Sequence, residues 1–377
     1  QYRQTREALT EAIAGKNAEK MEKVLEILGG RAKQKEIAEA MAKLDWDNPT
    51  AISSFIRSVM KPNLMDKITF AFINSLVLNP ATQIVNFGTN LTNALTYPIE
   101  TLGAAAVDPF RVLIRGGHRG VFFGEVQAEI FGFIKGLTEG SRKALRVLKT
   151  GESLGTTKWE FPRITPIGGL AGRIIGAGTT GLETADAFFY GINYTMVLRA
   201  QAYREAAKMG LKGVAFKEKV AELVLNPTKT ILENANKIAE ERLFRQELKA
   251  FGKMIMNVRE VKVLGTGFKP LRFVMPFIRT PLNIEKYGLQ RSPLGIFNVD
   301  MWRNFIKNNP EFSENVSRFI IGSSISATIA MHFANDKITG APPKNKAERD
   351  RFYDEGKLPY AIKVGDTWVQ YNRLEPF

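Results

Sequence analysis

Three short patterns place residues of suitable type close enough for chemistry. Gly176, Gly178 and Gly181 spell the dinucleotide fingerprint, in which glycines let the backbone approach a pyrophosphate at a helix N-terminus. That use needs a strand before the turn. Only Ile174 and Ile175 precede it, after Gly172 and Arg173, and no βαβ pattern surrounds it, so a flexible glycine loop is expected. Gly151-Glu152-Ser153-Leu154-Gly155 spells a nucleophile elbow, where a serine hydroxyl attacks an acyl carbon. An elbow needs a strand before it and a helix after it. Here a basic helical stretch, 141–149, precedes and Thr156-Thr157-Lys158 follows, and only His118 and His332 could act as base. The chain has no Cys and two isolated His, which excludes the usual zinc spacings, disulfides and thiol nucleophiles. No calcium loop or P-loop is present. No cofactor and no metal are expected.

The same Glu152-Ser153 pair resembles the Glu-Ser of lytic transglycosylases, whose chemistry needs one carboxylic acid of raised pKa. The following residues, Leu154 to Trp159, lack the Gly-Leu-Met-Gln stretch of that family, and the pair lies in a predicted loop rather than at the end of a buried helix. A peptidoglycan-cleaving domain is therefore a minor alternative to a non-catalytic chain.

The elements that would position these residues are almost all helical. The spacing predicts a mainly α protein, an elongated multi-helix assembly with a small C-terminal β-hairpin. Residues 1–64 read as charged amphipathic helices, with Met21, Val24, Leu25 and Leu28 at helical spacing before Gly29-Gly30. Residues 65–150 are apolar, then basic and aromatic. Residues 151–181 read as a Gly/Thr/Pro-rich linker. The region 182–270 holds a long helix to Met209, closed by Gly210, and another from after Asn226-Pro227 to about Phe251. Residues 271–340 are apolar and helical. In the tail, 341–377, a period-2 pattern around Gly365-Asp366 predicts the hairpin. Both ends read as cut from a longer chain.

Two windows lack formal charge: 68–99, 32 residues, and 319–335, 17 residues. A membrane-spanning helix takes ~20 mostly apolar residues. The first window carries Asn74, Asn79, Gln83, Asn86, Asn90 and Asn93, and Pro80 divides it, predicting helices over 66–78 and 81–97. Each carboxamide would need a partner in lipid. Burial inside protein is therefore expected for the folded form, with membrane contact after a conformational change. Phe70, Phe72, Leu76, Ile84, Phe87, Phe319, Ile320, Ile325 and Ile329 are the candidate packing residues for membrane or channel. The second window offers a small-residue face, Gly322, Ser323, Ser324, Ser326 and Ala327, suited to close helix packing.

Lysines and arginines number 53 against 38 acidic residues, a net charge of +15, which favours polyanions such as nucleic acid or anionic lipid. Arg111, Arg115, Arg119, Lys135, Arg142 and Lys143 are candidate contacts to DNA or lipid phosphate. The first four interleave with Phe122, Phe123, Phe131 and Phe133. That mixture serves single-stranded nucleic acid or a membrane interface. Its commonest use is an amphipathic helix packing its Phe face, which is the expectation.

Several segments together resemble one family. They are Ser75 to Asn86 (SLVLNPATQIVN), Asp186 to Phe189 with Ala202 to Ala206, and Pro276 to Ile284. The tail adds Ile338 to Pro342, Gly356 to Ile362, Trp368, Tyr371 and Arg373 to Phe377. In this order they are similar to internal virion (ejection) proteins of tailed phages. The resemblance covers roughly 70–377 and carries no catalytic residue onto this stretch. It implies storage in the capsid interior near the portal. It implies expulsion into the host periplasm and inner membrane, to help build a conduit for genome DNA. The implied partners are further copies in a homo-oligomer, other virion, ejection or portal proteins, double-stranded genome DNA and, conditionally, the host inner membrane. The alternatives are a passive capsid-interior or portal-adjacent core protein, the cell-wall enzyme above and a host peripheral membrane protein.

Overall fold

The computed structural model describes residues 64–150, 167, 169–259, 261 and 270–371. The helices predicted over 1–61, the Glu152-Ser153 pair and the terminal Arg373–Phe377 fall outside these. Among the described residues are thirteen α-helices, one short 3-10 helix and a two-stranded antiparallel hairpin. The chain is therefore mainly α with a C-terminal hairpin, as the periodicity predicts. It forms two compact units, Gln1–Asn79 with Arg142–Ala187 and Glu247–Thr280, and Pro80–Ser141 with Phe188–Gln246 and Pro281–Phe377.

In the first unit, α1 (Leu64–Val77) buries Ile73, Val77 and Asn74. The Asn74 carboxamide donates to the Phe70 carbonyl at 2.9 Å and accepts from the Thr179 hydroxyl at 2.8 Å, so this buried amide is satisfied by protein. α4 (Gly169–Ile175) and α5 (Ala177–Lys208) occupy part of the predicted 151–181 linker. There Thr179 and Thr180 donate their hydroxyls back to the Gly176 carbonyl, which satisfies them inside the helix. Gly178 belongs to packing rather than to a phosphate loop. A Cβ there would lie 2.9 Å from the backbone of Leu78. α8 (Ala250–Arg259) and α9 (Leu271–Val274) complete the unit, with Phe273 against Phe72 at 5.2 Å between ring centroids.

In the second unit, α2 (Pro80–Arg115) starts at the predicted Asn79-Pro80 break, where proline suits a first turn and disfavours helix in the residue before it. It then runs past the predicted Tyr97 end, through Pro98 and Pro109. Pro109 has no N–H for the Ala105 carbonyl one turn back. Arg119 Nη2 supplies that bond at 2.9 Å, so the helix continues.

α3 (Gly124–Thr150) meets α5 through Gly132, Gly136 and Gly140. Cβ atoms there would approach Met196 Cα at 2.6 Å, Ile192 Cα at 2.7 Å and the Phe188 carbonyl at 2.3 Å. The missing side chains let the two backbones touch. One apolar core, Val197, Leu198, Ala202, Leu223, Ile231 and Ala235, joins α5 to α6 (Gly213–Leu225) and α7 (Lys229–Glu241). α7 stops short of the predicted Phe251 end. Phe244 takes a positive φ of 57°, and the Asn283 side chain donates to the Phe244 and Gln246 carbonyls, so a tertiary contact holds the non-helical turn.

α10 (Arg279–Gln290), the 3-10 turn Pro293–Phe297 and α11 (Val299–Ile306) lead to α12 (Glu311–Ala334), which packs along α2. After α13 (Lys346–Asp354), β1 (Ala361–Val364) pairs with β2 (Thr367–Gln370) around Gly365, whose φ is 61°. Glycine at the first central position fits the two-residue hairpin turns. The Thr339 hydroxyl accepts from the Ala361 amide at 2.9 Å and ties the hairpin to the chain that follows α12.

Candidate functional site

Three helices of the second unit, α2, α3 and α12, turn polar residues inward and apolar ones outward, beside the apolar core on α5. The buried face of α2 carries Asn90, Asn93, Tyr97, Glu100, Asp108 and Arg111 with Ala94, Ala104 and Ala105, and no large aliphatic residue. Three- and four-residue steps put these on one side of a helix. On its exposed side are Leu95, Ile99, Leu102, Phe110, Leu113 and Ile114, with Leu113 81% exposed. α3 repeats the pattern, burying Glu125 and Glu129 and exposing Ile130, Phe131, Ile134 and Leu137. α12 buries Ser313, Asn315, Ser317 and Gly322 and exposes Ile320, Ile325, Ile329, Met331 and Phe333. Between α2 and α3 lies an apolar groove of about 270 Å³, lined by Leu95, Ile99, Leu102, Ile130 and Ile134 among others.

Between these helices and α5 the interior holds a chain of alternating charges. Glu125 meets Arg204 at 2.8 Å, and Arg204 meets Glu314 at 3.1 Å. Arg318 then bridges Glu314, at 3.6 Å, and Glu100, at 3.4 Å. Arg291 binds both oxygens of Glu100 at 2.6 and 2.7 Å. Its guanidinium also lies 3.5 Å over the Tyr287 ring. Arg242 lies 3.9 Å over Tyr97 and pairs with Glu129 at 2.6 Å, which accepts from the Thr101 hydroxyl. Four glutamates thus face four arginines. Charges taken out of water need such partners, because a lone buried ion is far more costly than a paired one. Burial pushes the Glu125 carboxyl up to about 7, against the pull of Arg204 and of the Phe122 amide.

A second buried knot fixes the segment between α2 and α3. The Asp108 carboxylate accepts from Arg111 at 2.8 Å, the Gly120 amide at 2.7 Å, the Val121 amide at 3.3 Å and the Ser313 hydroxyl at 3.0 Å. Burial works against that charge, but these donors outweigh it and hold the Asp108 pKa below the usual carboxylate range.

The predicted cations divide accordingly. Arg111 is not a surface contact. It is buried on Asp108 and also donates to the His118 carbonyl and to Asn308. Arg115 donates to the Ile306 carbonyl at 2.7 Å and lies over Phe305. Arg119 completes the Pro109 turn and stacks on Phe122 and Phe123. Lys135 and Arg142 are exposed, and Lys143 is half-buried. The expected Phe face is also split. Phe133 packs against the core around Phe189, whereas Phe123 and Phe131 are exposed.

The apolar candidates do not form the packed interior expected of them. Leu76, Ile84, Ile320, Ile325 and Ile329 are exposed, as is Phe87, although Phe87 touches Phe188 and Phe189. Phe70, Phe72 and Phe319 are half-buried. On α2 and α12 carboxamides, carboxylates, hydroxyls and small residues take the inward positions, and on α1 Ile73 and Val77 take them with Asn74.

Sequence reading missed the ionic chain, although Glu125 and Glu129, and Glu314 and Arg318, sit one helical turn apart. It also missed the four-residue glycine spacing of α3. Among the described residues, no single helix is long and apolar enough to cross a membrane. The pair Lys67–Val77 and Pro80–Arg115 passes together by length and composition. No group of three or more His, Cys, Asp or Glu that could hold a metal occurs among the described residues. No protein-family model, curated protein or solved structure matches the chain.

Proposed function

We propose that this chain is a non-catalytic segment of an internal virion (ejection) protein of a tailed phage, stored in the capsid and expelled to help form a conduit for genome DNA across the host envelope. The observation that carries the membrane part is the reversed polarity of α2, α3 and α12, with ions and carboxamides inside and leucine, isoleucine and phenylalanine outside. Contiguous exposed apolar surface marks an interaction site. In water such a surface needs a cover, and hydrocarbon or further copies of the chain supply one. Glycine contacts with polar groups between helices suit packing in lipid, where apolar side chains gain nothing by turning inward. In this reading the segments 68–99 and 319–335 contact the membrane, and the net charge of +15 faces DNA phosphate or anionic headgroups.

Flotation of the purified chain with anionic liposomes, followed by a high-salt wash, tests this. Salt screens surface electrostatics and leaves buried apolar contacts in place. Retention at high salt is expected. Complete release would sink the membrane reading and favour a passive core protein of the capsid interior.

A further inference from the structure

Arg204, Arg242, Arg291 and Arg318 each meet a carboxylate. Arg199, five residues before Arg204 on α5, has no carboxylate partner among the described residues. Its guanidinium lies 4.7 Å over the Phe131 ring, and its buried Nε has no hydrogen-bond partner. Lys135 Nζ lies over the same ring at 5.6 Å. Nearby on α6, Glu222 is engaged by Lys219 at 3.0 Å. Arg199 is therefore a half-buried cation without a carboxylate partner among the described residues, with the exposed Lys135 beside it.

Arg199 and Lys217 line a groove of about 400 Å³ between α5 and α6. Sites for small ligands run from about 300 to 1,000 Å³. The other walls are Tyr203, Phe216, Val220 and Leu225 among them, with Phe216 edge-on to Tyr203 at 4.9 Å. The groove thus joins an apolar trough to two cations. A polyanion would leave the trough unused, and an uncharged chain would leave Arg199 unpaired.

We propose that this groove binds a single-chain amphipathic anion, a fatty acid, with its hydrocarbon along Val220 and Leu225 and its carboxylate on Arg199 and Lys217. A guanidinium gains two directed, charge-assisted hydrogen bonds from a carboxylate. The site stands on its own geometry and goes beyond the membrane reading.

The test is a titration of the delipidated full chain with cis-parinaric acid, a fluorescent fatty acid, competed by oleate and by oleyl alcohol. Saturable binding is expected, with oleate displacing the probe at about tenfold lower concentration than the alcohol, the effect of one charge-assisted pair. The double variant R199Q/K217Q should weaken binding by about tenfold or more, and Arg199→Lys, which keeps the charge and loses the bidentate fork, should fall between it and wild type. Lys217→Gln alone, at an exposed position, weakens binding without a risk to folding. Equal competition by acid and alcohol, or unchanged affinity in both R199Q/K217Q and K217Q, overturns the proposal.

Discussion

Arg119 makes the hydrogen bond that Pro109 cannot, with its guanidinium donating to the Ala105 carbonyl at 2.9 Å. A cation predicted to meet phosphate reaches back from the segment after α2 to cap a carbonyl inside that helix. Arg119→Ala should destabilise the second unit by about 1–3 kcal/mol, the range for an orphaned buried acceptor. Pro109→Ala restores an N–H at that turn, so Arg119→Ala should cost less in that background. Chemical denaturation of the four proteins in a double-mutant cycle measures this coupling. Strict additivity would mean that Arg119 acts through its other contacts, the Val121 carbonyl at 3.3 Å and the rings of Phe122 and Phe123.

Gly136→Ala places a methyl 2.7 Å from Ile192 Cα, where backbone cannot yield as a side-chain tip could. A loss of about 1–3 kcal/mol is expected, as for other overpacked sites. Gly88→Ala, on α2 with nothing within 4 Å, should instead gain about 0.5–1 kcal/mol from helix propensity. Thermal melts of the two variants should move in opposite directions.

Arg291→Met removes the bidentate partner of Glu100 and leaves that carboxylate with Arg318 at 3.4 Å. Breaking a buried pair on one side costs about 3–5 kcal/mol. Glu100→Gln combined with Arg291→Met should recover part of the loss, because no uncompensated charge remains at that link. A double variant less stable than Arg291→Met would contradict this account of the interior.

Two carboxyls outside the apolar segments set opposite pH dependences. The lowered pKa of Asp108 contributes stability that is present above its usual value of 3.8 and is lost as pH falls through the folded value. Glu125, raised from 4.5 to about 7, contributes stability that is full below 4.5 and lost as pH rises through about 7. Melting temperatures of Asp108→Asn should therefore lie furthest below wild type above pH 4. Those of Glu125→Gln should gain on wild type between 4.5 and 7. A wild-type difference from Glu125→Gln that is flat across that interval would rule out the assignment.

Ile84→Gln, Leu113→Gln and Ile329→Gln alter residues 70%, 81% and 50% exposed. Each should change folding stability by no more than about 0.5 kcal/mol, as surface substitutions do. Together they should reduce salt-resistant retention on liposomes several-fold. Unchanged retention would move the contact surface elsewhere.

What was legible in the sequence was local. The hairpin announced itself through alternation around Gly365, the α1–α2 break through Asn79-Pro80, and the end of α5 through Gly210, whose φ is 70°. The interior was not legible, because its pairs join residues far apart in the chain. Glu100 and Arg291 are 191 positions apart, and Glu100 and Arg318 are 218. Charges read singly look solvated, and only the fold places them opposite one another. α4 and the start of α5 were hidden for a related reason. Threonine and glycine suggest a loop, and only the fold shows Gly178 packed on the Leu78 backbone and the Thr179, Thr180 and Thr184 hydroxyls satisfied by carbonyls of the preceding turn.

The glycine ladder of α3 constrains how this part of the molecule can change shape. At Gly132, Gly136 and Gly140 the two backbones mesh like cog teeth, and Gly191 adds a tooth from α5, its absent Cβ 2.6 Å from Gly140 Cα. A slide by one residue would drive side chains into main chain at every tooth. In any change of shape, α3 and α5 would move as one strut there, and the change would fall at the joints outside it.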